Sequence, residues 1–114
     1  MMELYLGAPS SALLARGGVP GQKVLKLGFW AVQGYPNVYE VFVDVWRFFV
    51  SKGIPFTPHL GKHVPARETE RHLLCAMRKG FVKLDEWKLI AQEQDPHGVF
   101  RTPYWNFVLW SKGC

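Results

Sequence analysis

An α+β domain is what this sequence predicts, and three observations predict it. The run from Lys23 to Val32 carries Val24, Leu25, Leu27, Phe29 and Trp30, side chains that suit a pleated, half-buried strand. From about Val38 to Ser51, apolar residues recur at helical spacing. Two more helical segments and an extended tail then follow, and the order strand, helix, extended turn, two helices, strand suggests an α+β arrangement. The expected architecture is antiparallel strands packed with helices.

The elements follow in chain order. Residues 1–22 form a poorly defined N-terminal segment, with a short strand-like run from Leu4 to Leu6 and a small-residue stretch from Ser10 to Ala15. Gly17-Gly18-Val19-Pro20-Gly21 breaks the chain there. The helix from Val38 to Ser51 has Asn37 as its expected N-cap and Gly53 at the C′ position. Its stripe, Val38, Val41, Phe42, Val45, Phe48 and Phe49, is expected to face the core. Ile54-Pro55-Phe56-Thr57-Pro58 must be extended, because each proline disfavours helix before it. A second helix is expected from Ala66 to Lys79, ending at Gly80. A third is expected from about Asp85 to Gln94, with Trp87, Ile90 and Ala91 on one side and a stop at Asp95-Pro96. The aromatic tail from Pro103 to Trp110 reads as extended, and the run from Tyr104 is expected to pack on something the isolated chain lacks.

The totals narrow the function classes. A chain of 114 residues suits one domain, and 48% hydrophobic with 15% aromatic residues excludes a disordered chain. The net charge of +5 admits an anionic partner or merely a solvated basic surface. Lys and Arg are dispersed, and the densest group, Arg67, Arg71, Arg78 and Lys79, is interrupted by Glu68 and Glu70. Only Cys75 and Cys114 are present, without zinc spacing, and a reduced, intracellular chain is the expectation. The N-terminus has no basic n-region before an apolar run, so no signal peptide is expected, and no stretch reads as a transmembrane segment.

Two segments carry chemistry. Thr57-Pro58-His59-Leu60-Gly61-Lys62-His63 is a loop with a cation and a titratable ring, where Pro58 fixes the approach and Gly61 permits tight geometry. Gln94-Asp95-Pro96-His97-Gly98-Val99-Phe100, followed by Pro103-Tyr104, is a turn that terminates the preceding helix. In this order and separation, P-H-x-G-K and D-P-x-G-x-F-x-x-P-Y resemble the C-terminus of the sugar lactone and alditol oxidases. These are vanillyl-alcohol-oxidase-type FAD-linked oxidoreductases, the group that includes D-arabinono-1,4-lactone oxidase. Pro58, His59, Gly61, Lys62, Trp87, Asp95, Pro96, Gly98, Phe100 and Tyr104 match the family pattern, and the resemblance covers roughly residues 23 to 105. Thr57 stands where the family often has Arg, and Leu60 where it has Trp.

The resemblance implies that residues 23–114 are the C-terminal fragment of a flavoprotein substrate (cap) domain. The Gly-rich FAD-binding half, its flavin-bonding histidine and the family's E-x-R pair have no counterpart in this chain. FAD would therefore be held mainly by another half or subunit, and Glu3 is not placed in a site. The implied chemistry is oxidation of a sugar-like alcohol by hydride transfer to flavin N5. Lys62 is implied as the catalytic and cofactor-binding cation at the N1–C2=O edge, and His59 as a hydrogen-bonding partner of flavin or substrate. A different class of function is a small basic, aromatic-rich module for single-stranded nucleic acid, for which Trp105, Phe107 and Trp110 near Arg101 and Lys112 are the candidates. Their apolar neighbours favour burial, which makes nucleic acid the weaker reading. A non-catalytic partner subunit is the third.

Overall fold

A computed structural model describes residues 2–8, 10, 12–14, 23–30 and 34–114. Its elements are β1 (Met2–Gly7), β2 (Val24–Phe29), α1 (Val38–Ser51), α2 (Arg71–Lys79), α3 (Leu84–Gln94) and α4 (Pro103–Trp105). A single 3-10 turn at Glu68–Glu70 leads into α2, and α4 runs on as a π-helical turn, Asn106–Trp110. The fold is α+β, with a two-stranded antiparallel sheet pairing Met2 with Phe29 and Gly7 with Val24. The break at 17–21 lies outside the described residues.

The end of α1 is built as its sequence requires. Gly53 takes φ 63°, donates its N–H to the Val50 carbonyl, and lets Ile54 N–H reach back to Phe49. This paired arrangement closes the last turn. The start differs from expectation: Asn37 adopts the left-handed conformation, φ 64°, and its side chain makes no capping bond. Asn occupies that region at lower cost than most residues, and here it turns the chain into the helix rather than capping it.

The expected apolar stripe of α1 is not the one that enters the core. Val43 and Trp46 are buried, with Tyr39 and Phe42 packed beside them, while Val41 and Phe48 are 56% and 53% exposed. Val41, Val45, Phe48 and Phe49 instead line a shallow groove with Leu27 and Phe29 of β2. Helix α1 is thus apolar on two faces, one against α2 and one turned to the hairpin. Because both faces carry helical periodicity, spacing alone does not choose between them.

The main core lies at the other end. Leu74 and Met77 of α2, Phe81, Leu84, Val64, Val108 and Leu109 form one buried cluster, ringed by Phe56, Leu60, Trp87, Trp105, Phe107 and Trp110. The tail expected to be extended is helical here, and its rings pack on the chain's own core. Three features explain this. Thr102 caps α4 by accepting the Trp105 N–H, Pro103 sits at the first helical position, and burial of Val108 and Leu109 outweighs aromatic β-propensity. On α3 the inward residues are Leu84 and Trp87, and Ile90 remains 42% exposed.

Arg78, read from sequence as one of a surface basic group, is buried beneath this tail. Its Nε donates to the Val108 carbonyl, Nη1 to the Ser111 carbonyl and Nη2 to the Phe107 carbonyl, at 2.7–2.8 Å. Ser111 Oγ and Cys114 Sγ take the remaining donors. Burial pulls its pKa below the ordinary arginine value, with Arg71 adding to the effect. The guanidinium supplies donors to the carbonyls of this irregular last turn, the Phe107 carbonyl accepting from Ser111 Oγ as well. Cys75 and Cys114 form a disulfide, contrary to the reduced pair expected from their number and separation. Folding of the tail back across α2 brings their Cα atoms to 5.3 Å, within bridging range.

Candidate functional site

The loop between Pro58 and His63 begins where the extended 54–58 segment leaves the core. Its turn is closed by Lys62 N–H donating to the His59 carbonyl at 2.9 Å. Gly61 N–H donates to His59 Nδ1 at 3.1 Å, so the imidazole folds back over its own turn. With Nδ1 accepting, neutral His59 carries its proton on Nε2 and offers it outward as a donor. Space explains the glycine: a Cβ at position 61 would stand 3.2 Å from His59 Cε1, tighter than ordinary contact. Both His59 and Lys62 are exposed.

Lys62 does not stand alone. Its Nζ lies 5.4 Å from the centre of the Trp30 ring, within cation–π range. Trp30 in turn bonds the Glu3 carboxylate through its indole N–H, and the Tyr5 hydroxyl donates to the same carboxylate. Those bonds, Tyr5 first and Trp30 second, hold Glu3 below the usual carboxylate pKa, and the Glu3 bond raises that of Tyr5. The hairpin therefore brings a carboxylate, an indole face and an ammonium into one connected surface. Glu3 was left out of any site on sequence grounds, and nothing local in the sequence ties it to Lys62. Pairing of β1 with β2, Glu3 opposite Gly28, is what carries it to Trp30.

The second motif forms a corner. Asp95 accepts the Val99 and Phe100 N–H groups on its two carboxylate oxygens, at 2.7 and 3.0 Å, and Gly98 supplies φ 69°. The turn holds Val99 and Phe100 outward, 77% and 83% exposed. Tyr104, just beyond it, donates its hydroxyl to the Leu60 carbonyl at 3.2 Å, tying the corner to the His59–Lys62 loop. Burial raises the Tyr104 pKa. His97 is exposed on the same corner and His72 is exposed on α2. His63 packs against the Phe42 ring at 4.8 Å, a structural contact.

The three rings named for a nucleic-acid platform do not form an exposed one. Trp105, Phe107 and Trp110 pack against the core, and Arg101 lies over the Trp110 ring at 4.8 Å. Among the described residues no cluster suits a metal ion, and no helix is long and apolar enough to cross a membrane. Lys62 and His59 offer a cation and an N–H donor, but neither the hairpin groove nor the cleft beside the tail is lined by them. No cradle for a diphosphate surrounds the loop among the described residues. No family, no curated protein and no solved structure matches the chain.

Proposed function

We propose that this chain is the C-terminal piece or subunit of an FAD-dependent oxidoreductase that oxidises a sugar lactone, alditol or similar alcohol, and that it is inactive alone. The observation that carries the reading is the linkage of both motifs with the hairpin. Tyr104 joins the D-P-x-G-x-F-x-x-P-Y corner to the P-H-x-G-K loop, and Lys62 reaches from that loop over Trp30 toward the Glu3 carboxylate. Bound flavin supplies the hydride acceptor. Lys62 places positive charge where reduction concentrates negative charge on the ring, the electrostatic logic of an oxyanion hole. His59 donates from Nε2 to a ring or substrate oxygen. Glu3, kept ionised by Tyr5 and Trp30, accepts a hydrogen bond from a substrate hydroxyl, and the exposed Trp30 face suits the C–H face of a sugar-like alcohol.

The dinucleotide's phosphates need a second polypeptide or segment. The two-faced α1 supports this, because a helix apolar on both sides is normally covered on both. The test uses the chain assembled with its FAD-holding half. Lys62→Met should slow anaerobic flavin reduction by about 10²–10³-fold, the usual loss for a preorganised charge stabiliser. A rate within about threefold of wild type would refute the role of Lys62.

A further inference from the structure

We propose that the Cys75–Cys114 disulfide is a thiol-exchange site, through which a small anionic thiol releases residues 112–114 while Arg78 keeps the rest of the domain closed. Three observations lead to it. Cys114 is exposed whereas Cys75, on α2, is half-buried, so an incoming thiolate meets the Cys114 sulfur first. The disulfide borders an open cleft whose lining includes Arg78, Lys79, Lys88 and Lys112, with the Asp85 carboxylate paired to Lys88. Such a field concentrates anions and favours thiolates over thiols. The attachments of the tail are also divided. Arg78 holds the Phe107, Val108 and Ser111 carbonyls whatever the state of the sulfurs. Beyond Ser111, the tail is held to α2 by the sulfur bridge, by the Arg71 contact to the Lys112 carbonyl and by the Arg78 contact to the Cys114 sulfur, and the bridge is the covalent tie among them.

The exchange balances as a two-electron reduction. One reductant thiolate attacks Cys114 Sγ, the S–S bond breaks, and Cys75 leaves as a thiolate that takes up a proton. A second reductant thiolate attacks the reductant sulfur of the mixed disulfide and expels Cys114, which is protonated in turn. Two reductant thiols leave as their disulfide, and the chain keeps two cysteine thiols. Reoxidation by the oxidised form of the same thiol runs these steps backward.

The full chain is reduced in parallel with glutathione, an anionic thiol, and cysteamine, a cationic one, with rates corrected for thiolate fraction. Glutathione should react about five- to twentyfold faster at low salt, and the gap should fall below about twofold at 1 M salt, where charges are screened within a few ångströms. Hydrogen exchange of the reduced protein should become nearly unprotected at 112–114, while 71–110 changes by no more than the one common factor set by the loss of global stability. The Cys114→Ser variant should show the same confined opening without any reductant. In Arg78→Met, reduction should open 107–111 as well. A rate gap that is absent or survives salt would overturn the anionic-thiol assignment. Local exchange in 71–110 beyond that common factor on reduction, or free thiols in protein purified under air, would overturn the exchange site itself.

Discussion

The two ends of this molecule solve the burial problem differently. At the C-terminal end, α2, α3 and the 103–114 segment close on themselves. Leu74, Met77 and Val108 are fully buried, Arg78 answers the loose carbonyls, and Cys75 is bridged to Cys114. At the other end, a two-stranded hairpin leans on α1 with Met2, Leu4, Tyr5, Leu6 and Leu25 all more than half exposed. A hairpin of two strands is marginal without further strands or a covering layer. The contrast teaches that one end buries its own apolar surface while the other leaves it open. The candidate flavin-edge surface sits where the two meet, with Lys62 from the closed side over Trp30 from the open one.

That contrast can be broken by substitution. Leu74→Ala and Arg78→Met should be the most damaging changes, each costing about 3 kcal/mol or more, the first by leaving a cavity and the second by taking the guanidinium from three carbonyls, of which Phe107 keeps the Ser111 hydroxyl. Denaturant midpoints measure both, and a loss below about 1 kcal/mol would mean that the C-terminal end is looser than described. Removing the disulfide as the Cys75→Ser, Cys114→Ser pair should cost about 3–4 kcal/mol for a bridge spanning 39 residues, by enlarging the unfolded ensemble.

The open end should behave oppositely. Val41→Ser with Phe48→Ser removes two exposed rings or branches from α1 and should change the stability of the isolated chain by less than about 1 kcal/mol. The same pair should weaken association with the FAD-holding half by at least about tenfold, since a well-packed apolar anchor is worth roughly 1–2 kcal/mol or more. Sedimentation of the mixed halves separates these outcomes. Equal losses from the open and closed faces would erase the distinction. The smallest effect belongs to Lys62→Met, which gives up a cation–π contact worth about 0.5–1 kcal/mol at an exposed site. Thermal melting should barely register it.

Legibility in the sequence followed the range of the forces. Helix α1 was readable to its end because Gly53 and the 3.6-residue period act within a few residues. The strand at β2 and the helices α2 and α3 were readable for the same reason, with α2 starting later than expected behind a 3-10 turn, and β2 ending at Phe29 where the expected strand ran on to positions 31–32, outside the described residues. The tail was misread because its aromatic composition suggests a strand, while Thr102, Pro103 and burial of Leu109 decide for helix. Arg78 could not be told from its charged neighbours, since its partners lie about thirty residues later in the chain. The same distance hid the Cys75–Cys114 pairing and the approach of Glu3 to Trp30. His59 and Lys62 were legible as a loop with chemistry. Their companions on the hairpin were not.

The central claim, that the 59–62 loop meets a flavin edge, is tested most directly on the isolated chain by two-dimensional amide NMR. The chain is titrated with FMN and, separately, with ribose 5-phosphate, which carries the same phosphate without the ring. With only one edge to grip, FMN should bind no tighter than about 0.1–1 mM. It should shift the amides of His59 to Lys62, Trp30 and Glu3, and Lys62→Met should weaken those shifts several-fold. Ribose 5-phosphate should leave them in place. Equal shifts from both compounds would reduce the loop to a plain anion patch, and FMN shifts confined to other residues would contradict the account.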